Sequence, residues 1–153
     1  MSSRATSFAA LVETMQGRWK HVYSEIDGQA GPEEKTQQMT FKDDQFTVEK
    51  DGKVAHEGKF TLNVTRSPCE LVYIYSKSFP IYLGAPRAGI VQIEGNTLKC
   101  CFSPLGQPAP KDFNTFPDSE RVLSIYQKLA KDNTIDEKIV IQIHRRPPYV
   151  TFW

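Results

Sequence analysis

At 153 residues the chain suits a single domain, since one core commonly forms at this length and a second would leave both parts small. Hydrophobic residues make up 39% and charged residues 24%, an ordinary globular composition that is neither disordered nor membrane-like. Lys and Arg number 19 against 18 Asp and Glu, without the one-signed excess that phosphate-backbone binding requires, so nucleic acid is not an expected partner.

The apolar run Phe8-Ala9-Ala10-Leu11-Val12 ends at Glu13, before it can serve as a signal-peptide core or a membrane span. Neither end carries a lipidation pattern. The expectation is an unprocessed cytoplasmic protein with no membrane partner. The cysteine count is odd, and neighbouring Cys100 and Cys101 would point to opposite faces of a strand. Reduced thiols are therefore expected rather than a disulfide framework.

In chain order, Thr6 or Ser7 can cap a short helix over about Phe8 to Met15, because Phe8, Leu11, Val12 and Met15 recur at helical spacing. Gly17 stops it. From Arg18 to Ile26 the pattern alternates, with Trp19, His21 and Tyr23 on one face and Lys20, Val22 and Ser24 on the other. Asp27-Gly28 turns the chain into a polar loop through Gly31-Pro32-Glu33-Glu34. Gln38 to Lys42, a turn at Asp43-Asp44, Gln45 to Lys50, a turn at Asp51-Gly52 and a return over Lys53 to Leu62 predict two consecutive hairpins.

After Ser67-Pro68, Cys69 to Ser76 reads as a strand apolar on both faces, covered on both or lining a partner surface. Ser78 to Gly84 fits a lid loop or a short strand, and Pro80 argues against a central strand. Ile90 to Glu94, a Gly95-Asn96 turn and Thr97 to Ser103 give a third hairpin. A proline-rich connection follows, with Phe113 and Phe116 expected to pack over a barrel mouth. Arg121 to Lys128 and Ile135 to His144 read as a last antiparallel pair, before Arg145-Arg146-Pro147-Pro148 and the aromatic tail Tyr149 to Trp153.

Eight to ten short strands joined by tight turns, with one helix, predict an all-β fold: an up-and-down antiparallel β-barrel whose closure removes exposed edges. Residues 1–153 form one domain in this reading, with 129–153 as a C-terminal extension of strand and tail. Trp19 would plug one end.

Six pieces in order resemble the lipocalin-like domain family of short, functionally uncharacterised bacterial proteins. They are Gln16-Gly17-Arg18-Trp19-Lys20, Asp27-Gly28, Phe46-Thr47-Val48, Gly58-Lys59-Phe60-Thr61-Leu62, Gly95-Asn96-Thr97-Leu98-Lys99-Cys100 and Pro110-Lys111-Asp112-Phe113. The likeness runs from about Leu11 to Lys128. Glu70-Leu71-Val72-Tyr73 lacks the aspartate that the family usually carries, and the chain runs past the domain's ordinary end. The resemblance implies a calyx for a small apolar or amphipathic molecule and carries over no catalytic residue.

If Trp19 faces inward, alternation places His21, Tyr23, Met39, Phe41, Phe46, Val48, Phe60, Leu62, Tyr73, Val91, Ile93, Leu98, Cys100, Phe102, Ile139 and Ile141 with it. The candidate ligand contacts are Trp19, His21, Tyr23, Phe41, Phe60, Tyr73, Tyr75, Arg87, Ile93, Cys100 and Phe102. Such a lining suits a small-molecule pocket, and equally a solid core in a small barrel.

His21, flanked by Trp19 and Tyr23, is the candidate acid or base, with Tyr23 beside it. The alternative is a buried neutral histidine that satisfies its own hydrogen bonds. Tyr73 and Tyr75 can donate to a ligand carbonyl or simply pack, and Arg87 can clamp a carboxylate at the mouth or stand in solvent. Cys100 has no evident base. His21, His56 and His144 lack metal-ligand spacing, and no phosphate loop or nucleophile elbow is present, so no metal and no cofactor are expected.

Three functions follow. The first is binding of a small hydrophobic or aromatic metabolite in the barrel. The second is a cyclase- or isomerase-type enzyme moving a proton with His21 and tyrosines. The third is an interaction module whose aromatic tail pairs with another chain, a homodimer included.

Overall fold

The computed structural model describes residues 2–31 and 35–130. Helix α1 (Ser2–Met15) leads into β1 (Gly17–Ile26), and a two-residue β2 (Gln29–Ala30) folds back on its end. Then come β3 (Gln38–Lys42), β4 (Gln45–Lys50), β5 (Lys53–Asn63) and β6 (Cys69–Lys77). A single 3-10 turn η1 (Pro80–Tyr82) precedes β7 (Pro86–Glu94), β8 (Thr97–Phe102) and β9 (Val122–Lys128).

From β3 to β9 each strand pairs antiparallel with the next, and β1 lies between β3 and β9. The ring is a closed up-and-down barrel of eight strands, with β2 outside it. The predicted hairpins form where their turn residues allow. Asp51 and Gly52 both take positive φ, at 55° and 77°, and Asp43 and Gly95 take 55° and 60°. These turns match the twist of the strands they join.

Three expectations need correction. The helix starts at Ser2 rather than near Phe8. No glycine or proline interrupts residues 2–16, and extending a helix is easier than nucleating one. Of the expected last strand pair, the first strand forms as β9, which lies between β8 and β1, Trp19 facing Lys128 and Phe102 facing Val122. Residues 135–144, with Ile139 and Ile141, and the tail Tyr149 to Trp153 lie outside the described residues.

Phe113 does not cover a mouth. It packs with Ala109 on the outer wall against Ile90, Cys101 and Leu123, and Phe116 is exposed under Arg121. The connection is held there by Arg121 to Asp112 at 3.3 Å and by Glu120 N donating to Asp27 Oδ1 at 2.7 Å. The outer face of β6 is also only partly covered, since Ile74 is exposed.

The third correction concerns Tyr23. A bulge between His21 and Tyr23 puts an extra residue in β1 opposite β9. The alternation flips there. His21 faces in, Tyr23 faces out, and Ser24 faces in opposite Ser124. Two more bulges follow: Ala55 is the extra residue on β5 opposite Val48 and Glu49, and Ser76 is the extra residue on β6 opposite Glu57 and Gly58. At Gly58 an added Cβ would lie 2.1 Å from the Ile74 carbonyl oxygen, so this bulge requires glycine. All three bulges lie in the half of the barrel away from α1.

Candidate functional site

The two ends of the barrel are built differently. At the α1 end, Met15 and Trp19 are fully buried, and the indole Nε1 donates to the Met15 carbonyl at 2.8 Å. Gln16 clasps the β3–β4 turn, its Nε2 donating to Asp43 O at 3.0 Å and its Oε1 accepting from Asp43 N at 2.6 Å. Lys128 Nζ donates to Thr14 O at 2.9 Å and lies 5.1 Å from the Trp19 ring centroid. A cation is favourable at a helix C-terminus. Phe41, Phe46, Phe60, Leu71 and Leu98 fill the interior above this plug. This end is sealed and apolar.

Midway, the Tyr73 ring stacks between Phe46, at 4.0 Å between centroids, and Phe102, at 4.7 Å. Phe102 reaches this position because Gly89 faces it across the β7–β8 pair; a Cβ at Gly89 would sit 2.5 Å from Phe102 Cδ1. The aromatic stack forms the floor of the other half. Burial raises the Tyr73 phenol well above its ordinary pKa and pushes the Cys100 thiol up to about 12. Neither ionises near neutral pH, so Cys100 is no ready nucleophile.

Beyond the stack the inward residues become polar at their tips. His21 is buried and meets Tyr126 edge-on, with centroids 5.4 Å apart. The Tyr126 hydroxyl accepts from Gln37 Nε2 at 2.9 Å. Across the barrel, Arg87 on β7 is half-buried and its guanidinium carbon lies 5.4 Å from the Tyr82 ring and 5.5 Å from the Phe102 ring. Its Nε donates to Ser103 O at 3.4 Å and an Nη donates to the Tyr75 hydroxyl at 3.5 Å.

His56 stands beside Tyr75 and Phe79, with Nδ1 2.7 Å from Ser78 Oγ. Burial lowers its pKa from the ordinary 6.5, and the charges of Lys50 and Arg87 lower it further, so the ring is neutral at pH 7. Turn η1 arches over this end: Tyr82 packs inward on the core while Phe79, Ile81 and Leu83 are exposed.

The structure thus separates the residues singled out by sequence. Trp19, Phe41, Phe60 and Ile93 belong to the sealed half, Tyr73 and Cys100 to the middle, and His21, Tyr75, Arg87 and Phe102 to the half opposite α1. Tyr23 joins none of them. It is on the outer wall, donating to Glu25 Oε2 at 2.9 Å, and Glu25 also accepts from Thr115. His21 and Tyr23 lie on opposite sides of the wall and do not converge as an acid–base pair.

Gln37, His56, Ser78, Tyr82 and Tyr126 complete the end opposite α1 and were not among the sequence candidates. His56 carried a signal: it lies two and four residues before Gly58 and Phe60, on their face. Tyr82, in a turn, carried none. Among the described residues no group of three or more His, Cys, Asp or Glu gathers as a metal site, and no helix is long and apolar enough to cross a membrane. Comparison with family models, curated proteins and solved structures finds no match to this chain.

Proposed function

We propose that the protein binds a small hydrophobic or aromatic molecule in the half of the barrel opposite α1, beneath η1. The observation that carries this reading is the polarity difference between the ends. The sealed end is lined by apolar side chains alone, whereas the other gathers His21, Tyr75, Arg87, Tyr126 and His56 around the aromatic floor of Tyr73 and Phe102. Polar atoms aimed inward from several strands are costly to desolvate and serve no packing need, but they orient a bound molecule. An eight-stranded barrel has room for side chains or for one small guest. Trp19, Phe41, Phe60 and Ile93 then act as foundation rather than as contacts.

The neutral probe N-phenyl-1-naphthylamine tests this. Its fluorescence rises on entering an apolar site, and the protein is expected to bind it with one-to-one stoichiometry. Native mass spectrometry of freshly purified protein, with and without His21→Ala and Tyr75→Ala, locates the site, because a co-purified mass should be lost in either variant. No probe binding and no bound mass would end the proposal and leave a solid core.

A further inference from the structure

Resting on that reading, we infer that the bound molecule is an organic acid: a flat apolar body carrying a carboxylate, which pairs with Arg87. Arg87 occupies an inward register position, opposite Tyr73 on β6 and two residues before Gly89. Its charge is felt inside the barrel, opposing the burial effect on Tyr73, Tyr75 and Cys100.

A half-buried guanidinium ordinarily finds a carboxylate. Among the described residues Arg87 makes no ion pair; the ion pair there joins Arg121 and Asp112 on the outer wall. Instead the guanidinium faces two aromatic rings and makes two long hydrogen bonds to neutral oxygens, leaving most of its five donors for another partner. Lys50 is a second positive charge near this corner, acting with Arg87 to disfavour protonation of His56.

Two positive charges near one corner attract an anion. The fork geometry of arginine suits a carboxylate, and the Tyr82 and Phe102 rings flanking it offer flat surface to the body of the same molecule. The Tyr75 hydroxyl, already the acceptor for Arg87, can in turn donate to the second carboxylate oxygen. A free inorganic anion would satisfy the arginine but leave the aromatic surface unused.

The test is displacement of N-phenyl-1-naphthylamine by a matched pair, 2-naphthoate and 2-naphthylmethanol, which share a ring system and differ in charge. The acid should displace the probe at a concentration at least about tenfold lower than the alcohol, the factor expected for one charge-assisted contact. That preference should shrink with added salt. Arg87→Gln should bring the ratio to about one, and Arg87→Lys should restore part of it, with circular dichroism checking the fold of each.

Equal displacement by acid and alcohol in the unmodified protein overturns the inference while leaving the binding reading intact; this arm needs no variant to fold. Preference retained in Arg87→Gln overturns it as well. Inorganic phosphate should leave naphthoate bound, and its release by millimolar phosphate would make the corner a free-anion site instead. Failure of the neutral probe to bind at all removes the underlying reading.

Discussion

Replacing Trp19 with phenylalanine probes the seal at the α1 end of the barrel. The indole is fully buried, donates to Met15 O at 2.8 Å and lies 5.1 Å under Lys128 Nζ. Losing the fused ring removes apolar surface comparable to about two methylenes, about 1.6 kcal/mol at ~0.8 kcal/mol each. Met15 is the last residue of α1, so its carbonyl has no partner within the helix. Leaving it buried without the indole donor costs about 1–3 kcal/mol. The phenyl ring keeps part of the lysine contact, which limits that loss to about 0.5 kcal/mol.

The sum is about 3–5 kcal/mol, a large share of the ~5–15 kcal/mol that stabilises an ordinary domain. Urea unfolding followed by far-ultraviolet circular dichroism measures it without relying on the altered fluorescence. The midpoint should fall sharply while the slope holds, since the area exposed on unfolding barely changes. A loss under about 1 kcal/mol would refute the reasoning, because a relaxed, solvated helix end loses neither the packing nor the hydrogen bond.

Gly89→Ala should destabilise by about 1–3 kcal/mol through overpacking, because its Cβ would meet Phe102 Cδ1 at 2.5 Å and Cys101 O at 2.7 Å; an unchanged melting temperature would show that Phe102 is not pressed against the glycine. The His56 ring should titrate below 6.5 in a carbon–proton NMR titration, its burial being the main cause and the charges of Lys50 and Arg87 the lesser ones. Because the folded pKa is depressed, the unfolded chain takes up this proton first. The His56 contribution to stability is therefore complete above pH 6.5 and is lost as the pH falls from there through the folded-state pKa. A His56 pKa above 6.5 would contradict that environment. Ellman's reagent at mild alkaline pH should leave Cys100 and Cys101 unreacted in the folded protein, their thiols being pushed up to about 12 and about 11 by burial, and all 3 cysteines should react once guanidinium is added. Rapid labelling of Cys100 in the folded state would mean an interior open to solvent.

The local parts of this fold could be read from residue order. Asp51-Gly52 and Gly95-Asn96 set hairpins because a turn depends on the φ preferences of the residues within it. Alternation over Met39, Phe41, Phe46, Val48, Phe60 and Leu98 identified the interior, since period two is a property of each strand. Gly17 and Trp19 likewise marked where the helix ends and the barrel begins.

The tertiary structure decided the rest. Closure depends on β1 meeting β9 across about a hundred residues, and no local pattern encodes that register. A bulge arises where two strands of different curvature must stay paired, so the flip that turns Tyr23 outward depends on the partner strand as well as on its own sequence. The same is true of the polar end: Arg87, Tyr75, Tyr82 and His56 come from four separate elements, and only the curled sheet, sealed at one end by α1, brings them to the rim of the other.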